Sequence, residues 1–173
     1  ETIYRVIPVL YENFETALGT VWGEDAHSIK LPVMVRMASW IGGDMVGRNE
    51  ITARTIRELI GRQRSLVLDL YHRECRELTE KLSQSRTRIG VSAEIEERIR
   101  LYAGHFPNAL SMTPVRHRDM RYRVMLRLMM ARLQSTFSDG LFPYDSAEEL
   151  AGDLRLIIDS LARPGGQHAG LFA

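Results

Sequence analysis

The segment Pro32-Val33-Met34-Val35-Arg36-Met37-Ala38-Ser39-Trp40-Ile41-Gly42-Gly43-Asp44 is an apolar run opened by a proline and closed by two glycines and an aspartate. Its length and punctuation predict one buried strand over 33–41, followed by a glycine loop over 42–51. A buried extended segment needs neighbours for its backbone hydrogen bonds and for both of its faces. No second stretch of similar quality occurs among the 173 residues. A lone strand, a helical pattern that starts at the first residue and an abrupt Leu171-Phe172-Ala173 ending lead us to expect part of a larger fold, with the partner strands in missing sequence.

Around this run the periodicity is helical. Ile3, Val6, Ile7, Leu10, Phe14, Ala17 and Leu18 recur at helical spacing, with Gly19 as the expected stop. Beyond the loop, Thr52 can cap a long helix carrying Ile56, Leu59, Ile60, Leu66, Leu70 and Leu78 to about Leu82. A shorter helix is expected from Ser92 to about His105, then a loop holding Pro107 and Pro114. The next runs from about Asp119 to Phe137, with Tyr122, Leu126, Met129, Met130 and Leu133 facing inward. Ser146 and Glu149 have the spacing of a capping box ahead of Leu150, Leu154, Ile157, Ile158 and Leu161, and Pro164-Gly165-Gly166 closes that last helix. The predicted fold is mainly α, about five helices plus one buried strand, in a single segment: helix 1–19, strand 33–41, loop 42–51 and a helical part over 52–173.

Composition narrows the function classes. The net charge of +1 gives no field to gather nucleic acid or to draw the chain to an anionic membrane, and charges interrupt every apolar run before it reaches spanning length. The N-terminus has an acidic start and no small-residue cleavage site, so it does not read as a signal peptide. A single cysteine, Cys75, leaves no intrachain disulfide and fits a reducing compartment, the cytoplasm. His72 and Cys75 stand one helical turn apart but fall short of a metal site without a third ligand. The arginine-rich run from Arg116 to Arg123, with Arg127 and Arg132 beyond it, reads as a solvated helix start against acidic neighbours, and Met125, Met129 and Met130 as core filler. His27, His105, His117 and His168 show no paired acid or nucleophile at a readable spacing.

Four stretches carry a resemblance. Ala38 to Thr52 is similar to the phosphoenolpyruvate carboxylase motif S-W-x-G-G-D-R-D-G-N-P with its following valine and threonine, and Glu1-Thr2-Ile3-Tyr4-Arg5-Val6-Ile7-Pro8 resembles that family's E-T-I-x-x-x-x-P helix. Tyr122-Arg123-Val124 is similar to its E-P-Y-R helix, and Tyr144-Asp145-Ser146-Ala147-Glu148-Glu149-Leu150 to its Y-x-S-x-E-E-L segment. The likeness covers essentially the whole chain, although the family's proteins are several times longer. It implies a strand of an eight-stranded α/β barrel and a substrate-site loop formed by Gly42, Gly43, Asp44, Met45, Val46, Gly47 and Arg48. It also implies an enzyme, a carboxy-lyase joining phosphoenolpyruvate to bicarbonate with magnesium or manganese, as a cytoplasmic homotetramer. The glycines suit close approach of a ligand to the backbone.

The loop departs from the motif. Met45 stands for the usual arginine, Val46 for aspartate, Arg48 for asparagine and Asn49 for proline. Loss of the aspartate removes two acceptor oxygens, and a group left unpaired in a buried site costs about 1–3 kcal/mol. Arg121 likewise replaces the proline before Tyr122. The family's T-A-H-P-T histidine segment, acidic metal ligands and arginine-rich glycine loops have no counterpart in this sequence. The expectation is therefore an enzyme segment with no complete catalytic set and no metal of its own, inactive alone, completed by the missing remainder of the barrel. The alternative is a catalytically degenerate helical interaction or regulatory module.

Overall fold

In a computed structural model, residues 2–29, 31–37, 51–82 and 91–162 are described. All regular structure among them is helical: α1 (Thr2–Trp22), α2 (Ala53–Lys81), α3 (Ala93–His105), α4 (Pro107–Ser111), α5 (Arg121–Phe137) and α6 (Ala147–Ala162), with short 3-10 turns at Gly23–Ser28 and Val115–His117. The chain divides into two compact units, residues 1–56 and 57–173.

In the first unit, α1 runs through Gly19 to Trp22, three residues beyond the expected end. The residue that stops it is Gly23, whose φ of +61° is the left-handed conformation that commonly ends helices. A Cβ at Gly19 would meet nothing within 4 Å, so that glycine is simply an exposed helical position. Of the predicted strand over 33–41, residues 33–37 are described, and they form no ladder; Val33 is 72% and Met37 60% exposed. Residues 38–41 lie outside the described residues, as do Pro164, Gly165 and Gly166 at the far end of the chain. The physical reason is the one the sequence raised: no described segment offers this run an edge to pair with.

The second unit holds every buried hydrophobic residue of the described chain, from Cys75 to Ile157. Its centre is α5, in which eleven of seventeen residues are buried because α3, α4 and α6 all pack on it. A helix covered on most sides reads as apolar nearly all round, and Val124, Met125, Leu126, Leu128 and Met129 form such a run. Ile95, Ile99 and Tyr102 of α3 and Leu150 and Ile157 of α6 complete the core. Pro107, expected in a loop, instead opens α4 at its first turn, where the missing N–H costs nothing.

The caps follow the sequence closely. Thr52 and Thr55 cap the start of α2 reciprocally, each hydroxyl accepting the other's N–H at 3.3 Å. The Ser92 hydroxyl accepts the Ile95 N–H, and the Ser146 hydroxyl that of Glu149, both at 3.4 Å. Only half of the predicted capping box forms: the Glu149 carboxylate accepts from the Asp145 N–H and from Arg132.

Two arginines tie α2 to α5. Arg64 on α2 donates to the Thr136 carbonyl at 2.9 Å and to Asp139 at 3.2 Å, while Arg123 on α5 donates to the Thr79 carbonyl at 2.7 Å and to Glu80 at 3.3 Å. Each guanidinium thus satisfies a carbonyl in the last turn of the opposite helix, the end that favours positive charge.

Candidate functional site

The predicted loop residues Gly42, Gly43, Asp44, Met45, Val46, Gly47 and Arg48 lie outside the described residues. Their flanks are described. On the incoming side the Tyr11 hydroxyl of α1 accepts the Met34 N–H at 2.8 Å and donates to the Pro32 carbonyl at 3.4 Å, fixing the start of the apolar run on α1. On the outgoing side the described chain resumes at Ile51, just ahead of the Thr52–Thr55 cap.

The densest polar constellation among the described residues is buried in the second unit. Asp153 of α6 is fully buried, and its two oxygens accept from Tyr102 at 2.6 Å, Tyr144 at 2.7 Å and Arg98 at 2.5 Å. Arg132 of α5 donates to the Tyr102 hydroxyl at 2.7 Å, to the Pro143 carbonyl at 3.0 Å and to Glu149 at 2.7 Å. Its guanidinium also lies 4.1 Å from the Tyr144 ring centre and 4.5 Å from that of Phe142. Burial, reinforced by the Asp153 charge, pushes the Tyr144 hydroxyl far above its usual range, and burial with the Asp153 hydrogen bond raises that of Tyr102. Hydroxyls held protonated and aimed at a carboxylate already accepting three bonds are suited to holding structure; they have no proton to exchange with a ligand near neutral pH.

This centre also positions the turn after α5. Asp139 (φ +49°) and Phe142 (φ +55°) both adopt the left-handed conformation, and the Phe142 ring stacks on His105 with centres 3.9 Å apart. Gly140 is required there by close approach, since a Cβ would sit 2.9 Å from the Ser135 hydroxyl, which donates to the Leu141 carbonyl.

The motif residues of the second unit serve this same framework. Tyr122 shares a 2.8 Å hydrogen bond with Ser160, whose hydroxyl also accepts the Ser92 N–H at 3.1 Å. Arg123 holds α2, Tyr144 holds Asp153, and Glu149 holds Arg132. Sequence reasoning missed Asp153, Arg98 and Arg132 as a group; the signal within reach was Tyr144, a buried-type aromatic nine residues before an aspartate on the inner face of α6. Of the arginine-rich run, Arg121 makes a two-point contact with Glu96, one bond at 2.8 Å, and Arg123 meets Glu80.

His72 and Cys75 share α2, and Cys75 is buried with its thiol pushed up to about 11, chiefly by burial and then by the Glu74 charge. Among the described residues no three His, Cys, Asp or Glu side chains converge as a metal ion would require. None of the described helices is long and apolar enough to cross a membrane.

Comparison with known proteins agrees with the motif reading. The family model described as phosphoenolpyruvate carboxylase matches residues 1–170. A phosphoenolpyruvate carboxylase of Xanthomonas euvesicatoria is 42% identical over 173 residues, all of this chain and 19% of that protein. Those of Ralstonia nicotianae and Chromobacterium violaceum are 35% and 29% identical, over 96% and 94% of this chain and 18% of each relative. No solved structure matches. The chain thus spans about a fifth of the length of the curated relatives it matches, and it belongs to the phosphoenolpyruvate carboxylase family.

Proposed function

We propose that this chain is the part of a phosphoenolpyruvate carboxylase that brings the loop Gly42 to Arg48 to the substrate site, with 33–41 as a barrel strand paired to strands supplied by the rest of the enzyme. The observation that carries this reading is the contrast between the two units within a family match over residues 1–170. The second unit holds every buried hydrophobic residue of the described chain, whereas the first has none among its described residues and exposes Ile3, Val6, Val9, Val33 and Met37 at over half of their surface. Apolar surface of that extent in a unit without a core of its own supports burial against further protein.

In the whole enzyme the reaction joins phosphoenolpyruvate and bicarbonate to give oxaloacetate and phosphate, through carboxyphosphate and the enolate of pyruvate. Positive groups must hold the transferring phosphoryl, and water must be kept from the enolate. The divalent metal, magnesium or manganese, finds no fitting ligand set among the described residues of this chain. On this reading its ligands come from the remainder of the protein, a cytoplasmic homotetramer.

Within the loop, Gly42, Gly43 and Gly47 would let substrate approach the backbone, and Asp44 would orient a neighbouring cation. Met45 offers no charge to phosphate, Val46 no acceptor, and Arg48 returns a positive charge three residues away. A misplacement of about 1 Å can cost roughly 100-fold in rate, so the loop is read as impaired.

The test is a coupled oxaloacetate assay on this chain and on the longest natural protein containing it. The chain alone is expected to be silent. In the longer protein the joint replacement Val46→Asp, Arg48→Asn and Asn49→Pro is expected to raise kcat/KM at least about tenfold. An unchanged or lower rate from folded protein would sink the impaired-loop reading, and activity of the 173-residue chain alone would sink the segment reading.

A further inference from the structure

Along the α2–α5 seam, away from the buried Asp153 centre, a groove of about 260 Å³ opens between Leu68, His72 and Arg76 of α2 and Leu133, Gln134 and Phe137 of α5. Its floor is apolar, with Leu133 buried and Phe137 presenting half of its surface. Its rim carries the Arg76 guanidinium and the His72 imidazole. His72 and Arg76 are one helical turn apart on the same face, and neither pairs with a carboxylate among the described residues. Asp69, the one acid lining the groove, is taken by Arg73 at 3.3 Å. The α5 wall brings no charge at all, only Leu133, Gln134 and Phe137.

We propose that this groove binds a small carboxylate with a flat apolar body, its head group on Arg76, His72 and Gln134 and its body on Leu68, Leu133 and Phe137. The charge pattern selects the head. Arg76 offers a planar fork matched to a carboxylate, Gln134 adds an amide donor, and His72 adds a ring N–H. The half-exposed phenyl ring and two leucines select the body, because a fully hydrated anion would leave them wet. A volume of about 260 Å³, a little below the range of drug-sized sites, suits a ligand of a single ring. The ligand also relieves a local conflict. His72 is held below its ordinary value by burial and then by the Arg76 charge, with Asp69 acting against both, and an anion at the rim reverses that direction.

The experiment is an NMR titration of the full 173-residue chain with sodium benzoate, with inorganic phosphate and benzyl alcohol as probes of head and body separately. Benzoate is expected to give saturable shifts at His72, Gln134 and Phe137 and to raise the His72 titration midpoint, at concentrations at least about tenfold below those needed by either single-property probe. Arg76→Ala and Phe137→Ala, both at exposed positions and checked by circular dichroism, are each expected to weaken benzoate about tenfold. The proposal is overturned if benzoate produces no saturable shift. It is overturned equally if phosphate or benzyl alcohol saturates as readily, or if the shifts survive both substitutions.

Discussion

Replacing Asp153 with alanine tests the claim that the buried polar centre holds the second unit together. The carboxylate is fully buried and accepts from Tyr102, Tyr144 and Arg98 at 2.5–2.7 Å. Alanine strands those donors unequally. Arg132 only donates to the Tyr102 oxygen, so the Tyr102 O–H, on a residue with no exposure, loses its acceptor, whereas Arg98 is about one-third exposed and can turn to water. Tyr144, 7% exposed, has no such exit for its hydroxyl either, and each stranded hydroxyl should cost about 1–3 kcal/mol. Loss of the Arg98 pairing and the cavity left behind bring the total to about 3–5 kcal/mol, the range seen when a buried ion pair is broken from one side. That is a large share of the roughly 5–15 kcal/mol that stabilises a typical domain. Urea unfolding of the full chain, followed by far-ultraviolet circular dichroism, reads the effect as a lowered midpoint at unchanged slope. Tyr144→Phe should cost less, about 1–2 kcal/mol, because it removes a donor and leaves the carboxylate two others. With both changes together, the total should fall well short of the sum, since they delete the same bond. A loss below about 1 kcal/mol for Asp153→Ala, or strict additivity with Tyr144→Phe, would refute the argument.

Alkaline pH is a second handle: with the Cys75 thiol raised from 9.0 to about 11, the folded state keeps its proton where the unfolded state gives it up, so stability is intact below about pH 9 and falls through pH 11. The raised Tyr102 and Tyr144 hydroxyls push in the same direction above pH 10; a two-unit shift is worth about 2.7 kcal/mol, and a flat urea midpoint between pH 9 and pH 11 would contradict it. Arg123→Ala leaves the Thr79 carbonyl buried without its donor and should lower the thermal midpoint by about 3–10 °C, or about 1.5–2.5 kcal/mol, in a calorimetric scan, with Arg123→Lys recovering only part. Gly140→Ala should cost about 1–2 kcal/mol by displacing the Ser135 hydroxyl, and much less when Ser135 is already alanine; equal costs in both backgrounds, measured by urea unfolding, would place the strain elsewhere.

The helices were legible because their information is local. Period and capping residues place α2, α3 and α6 within a residue or two, and the four inward positions Tyr122, Leu126, Met129 and Leu133 are all buried, with Met130 half-buried at the edge. Gly19 misled because a glycine on an exposed helical face looks identical in sequence to one that ends a helix; only the backbone angle distinguishes Gly23. The Asp153 centre was illegible for a different reason. Its partners are 9 to 55 residues away in sequence, and no local pattern says which arginine meets which carboxylate. Family resemblance marked Tyr122, Arg123, Tyr144 and Glu149 as a set, yet their common task as framework emerged only from the contacts they make. The candidate loop was read from motif alone, and its geometry rests with residues outside those described.

The two arginine ties between α2 and α5 have a consequence for how the sequence can vary in length. On α2 the anchoring residues Arg64 and Thr79 are fifteen positions apart, and on α5 Arg123 and Thr136 are thirteen apart, so both pairs of anchors lie roughly 20 Å from each other along their helices. The pair works as a vernier. One residue added or removed between either set of anchors rotates the far arginine by about 100° and slides it by about 1.5 Å, off its carbonyl. Substitutions on the outer faces of these stretches should therefore be tolerated freely, whereas insertions and deletions within 64–79 or 123–136 should be selected against, and length variation pushed out to the connections at either end.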